Sequence, residues 1–233
     1  AELANMVNEA ALMVARKGDG SKVTMDIIEQ AKDKVMMGAE RRSLIITAQE
    51  KRITAFHEAG HALTAWMLPG ADPVHKVTII PRGKALGLTM QLPEEDKLSH
   101  SKSYLFNNLC ILLGGRIAEE IAFGDITTGA GNDIDRVSDL ARKMVCEWGM
   151  SEEIGTITFK AASPAAGHPG PIISEATALK IDGAVKDLIN SAYDTTKTIL
   201  NDNRKILDAM TQALLDHETI NTEDIKKIVK ENS

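Results

Sequence analysis

Residues 54–68 read TAFHEAGHALTAWML and carry His57, Glu58 and His61 in H-E-x-x-H spacing. On a helix, positions i and i+4 project from one face a turn apart, so His57 and His61 can share one metal ion. Zinc takes imidazole nitrogen at about 2.0–2.1 Å, a reach that one helical turn matches. Glu58 lies about 100° round the helix from His57 and flanks such an ion without having to bind it. From there it can accept a proton from water and deliver it to a leaving amine. Zinc supplies the other half of that chemistry by lowering the pKa of the water it holds to about 7. Small residues Ala59, Gly60 and Ala62 leave room beside the ion, and Ile53, Phe56, Leu63 and Met67 form an apolar anchor. The bland alternative is a core helix with two hydrogen-bonded histidines.

A catalytic zinc needs a third protein ligand and an open position. Asp72 and His75 are the first candidates after the motif, one just past a Pro-Gly pair and one at a strand start. Three later residues are better placed: Glu119 and Glu120 on a long helix, and Asp133 where a glycine-rich loop meets a helix. The chemistry of the residues leaves all three open.

The elements that must position these groups are legible as hydrophobic periods and stop signals. Residues 2–16 form an amphipathic helix, and a second starts at the Thr24 cap and stops at Gly38. The stretch KGDGSK between them reads as a loop, and GAERRSLI after them as a linker. Thr47 and Glu50 have capping-box spacing for the helix that carries the motif, which Pro69-Gly70 ends. VHKVTIIP and LGLTMQL read as two strands around a glycine-containing connection, either of them sheet core or an edge that pairs with extended substrate. A long helix follows, capped at Ser99 or Ser101 and ended by Gly124. Its Gly114-Gly115 pair costs helix propensity and marks a close backbone contact. DITTGAGND is a glycine-rich loop, and residues 134–149 a helix. IGTITF reads as a short strand, KAASPAAGHPGP as a mobile segment. Two long helices then cover 175–200 and 204–216, and a short one begins at Asn221 or Thr222. The fold class is mainly α with a small β-sheet.

Of the 233 residues 43% are hydrophobic, enough for a sizeable core. Net charge −6 with 3% aromatic residues argues against the basic, ring-bearing surface that nucleic acid needs. The longest apolar run, LCILLGG, is far too short for a membrane span. No signal peptide opens the chain, and it starts in the middle of a helical pattern, as a piece of something longer would. Cys110 and Cys146 lack CxxC spacing and read as buried inert thiols of a reducing compartment. His75, His100, His168 and His217 do not recur at ligand spacing.

The stretches FHEAGHA, DPVHKVTIIPRGKALGLTMQLPEED, LGGRIAEEIAFGDITTGAGND and ARKMVCEWGMSEEIG occur in that order. Together with the helical tail from SEATALKIDGAVKDLINSAY to DIKKIV, they resemble the protease region of the FtsH family, membrane-bound AAA+ zinc metalloproteases. The resemblance implies that His57, His61 and Asp133 bind one zinc ion, that Glu58 is the catalytic glutamate, and that Glu119 orients a histidine ligand. Gly131 departs mildly from a family position that is often polar. Residues 1–45 resemble the last helices of an AAA+ lid, leaving 46–233 as the zinc metallopeptidase domain. There is no G-x-x-x-x-G-K-[ST] loop, since the sole Gly-Lys pair, Gly83-Lys84, is followed by Ala85. ATP is therefore expected only in a full-length protein. The resemblance also implies a homo-hexameric ring, unfolded or membrane-protein substrates, and, if bacterial, an inner membrane with the peptidase on the cytoplasmic side. A proteolytically silent assembly module and a structural zinc site are the rival readings.

Overall fold

A computed structural model describes residues 2–18, 22–41, 44, 46–83, 85–93, 97–159 and 173–232. The expected mobile segment at 160–171 lies outside these, as do His168, Lys84 and the middle of the KGDGSK loop.

The helix that carries the histidines, α3 (Ala48–Met67), is the centre of the molecule. Its start is closed reciprocally: Thr47 Oγ1 accepts from the Glu50 amide at 3.2 Å, and the Glu50 carboxylate accepts from the Thr47 amide at 3.1 Å. Its end comes at Leu68, before Pro69 and a left-handed Gly70. Ten of the eleven residues from Ala55 to Ala65, all but His57, are buried, so the helix is covered on nearly every side. It packs chiefly on α4 (Lys102–Phe123), then on α7 (Arg204–His217), and touches α6 (Glu175–Asp202) and the sheet.

The α3–α4 contact is backbone on backbone. A Cβ on Gly60 would lie 2.3 Å from the carbonyl oxygen of Gly114, and one on Gly114 would lie 2.7 Å from that of Gly60. The glycine pair read from sequence as a packing contact is one. Ser101 caps α4 by accepting from the Tyr104 amide, and Gly124 ends it in the left-handed region at φ 67°. Around this pair Leu63, Leu109, Leu113, Ile117, Leu207, Met210 and Leu214 form the core. Helix α5 (Gly131–Cys146) adds Val137, Ala141 and Met144 from the α4 side, and α8 (Thr222–Asn232) adds Ile225.

The small sheet has the order β2–β1–β3, all antiparallel: β1 is Val74–Thr78, β2 Leu88–Gln91 and β3 Thr219–Asn221. Strand β2 is therefore an edge strand. Two strands are those expected; β3 is not, and its last residue, Asn221, is one of the two expected starts of the final helix. The strand has three residues, too few for an alternating pattern, and exists because Glu218 turns the chain at φ 60° straight out of α7. The Glu218 carbonyl then accepts from the Ile79 amide at 3.0 Å and the Thr78 hydroxyl at 3.1 Å.

IGTITF is not a strand. The Phe159 amide donates to the carbonyl of Cys146 at the end of α5, and Ile154 and Phe159 pack on the Val145, Cys146, Ile181 and Ala184 cluster. Its β-branched residues follow a helix end rather than a sheet partner. Thr24 stands at the N-cap of α2 (Met25–Met37) without a side-chain cap bond, and Gly38 ends that helix as expected. With α1 (Glu2–Lys17), α2 has its own small core of Ala10, Ile27 and Ala31. This helix and the residues just after it meet the rest through polar contacts: Lys76 with Asp33 at 2.6 Å, and Arg82 with Glu40 at 2.6 Å and with the Gly38 carbonyl.

Replacing Gly114 by alanine should force α3 and α4 apart. The expected cost is about 1–3 kcal/mol, read as a lowered Tm at roughly 2–4 °C per kcal/mol. Gly183→Ala in α6, where a Cβ meets open space, serves as the control and should melt no lower than wild type. Equal melting of the two variants would contradict the close-contact account.

Candidate metal centre

His57 and His61 face α4, where Gly115 makes room for them. A Cβ there would stand 2.5 Å from His57 Cε1 and 2.6 Å from the Nε2 atoms of both rings. Each imidazole is fixed through its other nitrogen. The Ile111 carbonyl can only accept, so the His61 Nδ1 that lies 2.7 Å from it carries a proton. His57 Nδ1 donates likewise to Glu119 Oε1 at 2.7 Å. Both rings therefore turn Nε2 to the same point, 3.0 Å apart.

The third group arrives from the N-terminus of α5. A 3₁₀ turn at Thr128–Ala130 leads directly into the helix at Gly131, three residues earlier than expected, so Asp133 sits in its first turn. A carboxylate is favoured there by the unpaired helix amides. Asp133 Oδ2 lies 3.2 Å from His57 Nε2 and 3.4 Å from His61 Nε2. Glu119 also secures this loop, since its Oε2 accepts the Thr127 amide at 3.0 Å. One carboxylate thus fastens both a histidine and the segment that delivers Asp133. Gly131 is helical with open space beside it, so the departure from a polar residue leaves the geometry of the turn intact.

Three ligand atoms at tetrahedral angles on zinc stand about 3.3 Å apart, given bonds of about 2.0–2.1 Å. The distances of 3.0, 3.2 and 3.4 Å fit that requirement. Among the described residues, these three form the one such group of His, Cys, Asp or Glu side chains. Asp72 instead accepts from Lys97 and Tyr104, and His75 lies beside Lys32. Glu120, next to Glu119 on the helix but round its circumference, accepts from Tyr193 and Lys197 of α6. His100 stacks on Tyr104, and His217 ends α7. Cys110 and Cys146 are buried, and burial pushes the Cys110 thiol up to about 11, as an inert thiol requires.

Electrostatically the pocket is built for a cation. Burial would lower the pKa of His57, but its hydrogen bonds with Asp133 and Glu119, aided by the charge of Glu58, push it up to about 10. Burial disfavours the Asp133 carboxylate too, and the bonds from both histidines outweigh it and hold it well below the usual range. Glu119 is likewise lowered, burial being overcome by His57 and Thr127.

Glu58 is 6% exposed, and burial pushes its carboxyl upward against the pull of His61, His57 and Thr89. The Thr89 hydroxyl donates to its Oε2 at 2.8 Å. Thr89, Gly87, Thr127 and the Ile111 carbonyl were not singled out by sequence reasoning. The lone hydroxyl inside LGLTMQL was the signal available for Thr89; a backbone carbonyl leaves none.

A family model described as Peptidase family M41 matches residues 44–228. A protein of Acidobacterium capsulatum named ATP-dependent zinc metalloprotease FtsH is 53% identical over 99% of this chain. One of the same name from Magnetococcus marinus is 51% identical over 98%, and one from Caulobacter vibrioides 49% identical over 99%. The chain spans 36%, 35% and 38% of the length of these relatives, respectively.

Zinc entering this pocket must displace the proton that His57 holds at a pKa of about 10. At pH 7, binding is therefore expected to release about one proton per ion, with apparent affinity rising as pH rises toward that value. Calorimetry in buffers of different ionisation enthalpy measures the release. A binding enthalpy independent of buffer would contradict it.

Proposed function

The chain belongs to peptidase family M41, and on that premise we propose that it is the peptidase portion of an ATP-dependent zinc metalloendopeptidase. The observation that carries this reading is the meeting of His57 Nε2, His61 Nε2 and Asp133 Oδ2 within 3.4 Å, beside a buried glutamate. His57, His61 and Asp133 hold Zn²⁺, one per chain, and Glu119 orients His57. Zinc, when bound, supplies Lewis acidity that acidifies water and polarises a carbonyl oxygen. Glu58 takes a proton from the attacking water and returns it to the leaving amine. Its burial favours this work, because a carboxylate raised toward neutrality both accepts and releases a proton readily. A peptide in extended form lies along β2, the edge of the sheet, where main-chain pairing gives affinity with loose sequence selectivity.

The small α1–α2 core, separate from the main core around α3 and α4, supports a division at about residue 45, with 1–45 the end of an AAA+ lid and 46–233 the peptidase domain. The relatives' names support ATP-dependent proteolysis in the whole protein. We propose a homo-hexamer acting on unfolded, short-lived and membrane proteins, held, if the source is bacterial, at the inner membrane with the peptidase on the cytoplasmic side. No helix among the described residues is long and apolar enough to cross a membrane.

Degradation of an unfolded casein-like protein, with zinc content assayed alongside, tests this reading. Glu58→Gln should keep its zinc and lose activity by about 10²–10⁴-fold. Equal activity in variant and wild type would overturn the mechanism. In the same assay, proline placed singly at positions 86–91 should raise KM, and normal cleavage by every folded variant would remove β2 from substrate binding.

A further inference from the structure

The two oxygens of the Glu58 carboxylate have unlike surroundings. Oε2 accepts the Thr89 hydroxyl at 2.8 Å. The same hydroxyl oxygen lies 3.1 Å from the main-chain carbonyl of Glu58, so it sits between the backbone and the side-chain end of one residue. No hydrogen bond reaches Oε1 from the described residues. Oε1 instead lies against Gly87, where a Cβ would come within 2.7 Å of both Glu58 Cγ and Oε1, and within 2.9 Å of Thr54 Cγ2. Thr54 and Glu58 are four apart on α3, so Gly87 rests across one turn of the helix. The backbone of Gly87 lies outside the left-handed region, so its lack of a side chain serves the close approach rather than the turn.

Accepting the reading of Glu58 as the base, we propose that β2 and the residue before it aim that base, with Thr89 as a positioning residue and Gly87 as the wall that sets Oε1. Thr89 occupies Oε2, and Oε1 is left as the oxygen that exchanges the proton. The proton passes from the attacking water to Oε1, and from Oε1 to the nitrogen of the leaving amine. Throughout, Oε2 remains an acceptor, as carboxylate oxygen before the transfer and as carbonyl oxygen after it. The Thr89 hydrogen bond therefore persists in both protonation states, and the carboxyl group keeps its plane. Thr89 pairs with Val77 in the ladder with β1, so the register of β2 also sets where the base points. An edge strand that takes substrate and carries the seat of the base fixes the two relative to each other.

Thr89→Val keeps the shape and removes the hydroxyl; Thr89→Ser keeps the hydroxyl. In the zinc-loaded chain, Thr89→Val should lower kcat by roughly tenfold to a hundredfold, with KM and zinc content unchanged, and Thr89→Ser should restore most of the loss. A readout without turnover is the affinity of a peptide hydroxamate, whose hydroxyl proton that carboxylate takes up. It should fall in Thr89→Val, while affinity for a cleavage-product peptide holds. Gly87→Ala, which pushes on Oε1 instead, should lower kcat with zinc retained, and it stands in if Thr89→Val does not fold. Wild-type kcat and hydroxamate affinity in Thr89→Val, or a serine variant no better than valine, would overturn the proposal. So would wild-type kcat in Gly87→Ala. Each of these with Glu58→Gln inactive leaves the peptidase reading standing; an active Glu58→Gln refutes that reading itself.

Discussion

The rest of the structure depends on how closely α3 and α4 approach. Gly60 and Gly114 bring the two backbones into direct contact, and Gly115, one residue on, leaves the space that the two imidazoles fill. That proximity puts the Ile111 carbonyl within 2.7 Å of His61 and the Glu119 carboxylate within 2.7 Å of His57. Side chains at these glycines would hold the helices apart, and neither histidine would have a partner to fix its ring. Packing and chemistry are one constraint here.

Around that contact the polar groups are nested. The Nδ1 atoms face protein and the Nε2 atoms face each other and Asp133. Glu119 spends one oxygen on His57 and the other on the Thr127 amide, so the loop that brings Asp133 is tied to the helix that brings the histidines. Such buried charge is tolerable because each carboxylate has its partners, and two carboxylates around two imidazoles leave a place for one cation. Glu58 stands apart from this set, held by β2 rather than by α4.

Much of this was legible in the sequence. The capping box of α3, the serine start of α4 (Ser101, the second of the two expected caps) and its Gly124 stop, the Gly114-Gly115 contact and the H-E-x-x-H face all rest on local rules, and all appear. What differed was mainly non-local, the early start of α5 at Gly131 aside. The β-branched run IGTITF has strand composition, but whether a strand forms depends on a partner, and its backbone finds the end of α5. Conversely, Thr219–Asn221 has no strand pattern and pairs because α7 delivers it beside β1. The carboxylate that joins the histidines was the same kind of problem. Spacing left Glu119, Glu120 and Asp133 open, and only the packing of α5 and α6 on α4 sends Glu120 to Tyr193 while bringing Asp133 to the histidines. Thr89 is no more legible, because a hydroxyl in a strand has no periodic signature.

Asp133, 72 positions beyond His61, is the residue proposed to complete a site that the motif alone leaves unfinished. Its most direct test is the zinc affinity of Asp133→Ala, measured by competition with a chromophoric chelator against wild type. With Asp133 as the proposed third protein ligand, a fall of about a hundredfold or more is expected, since even an indirect partner is worth 10–100-fold. An affinity equal to wild type would place the third ligand elsewhere and contradict the account.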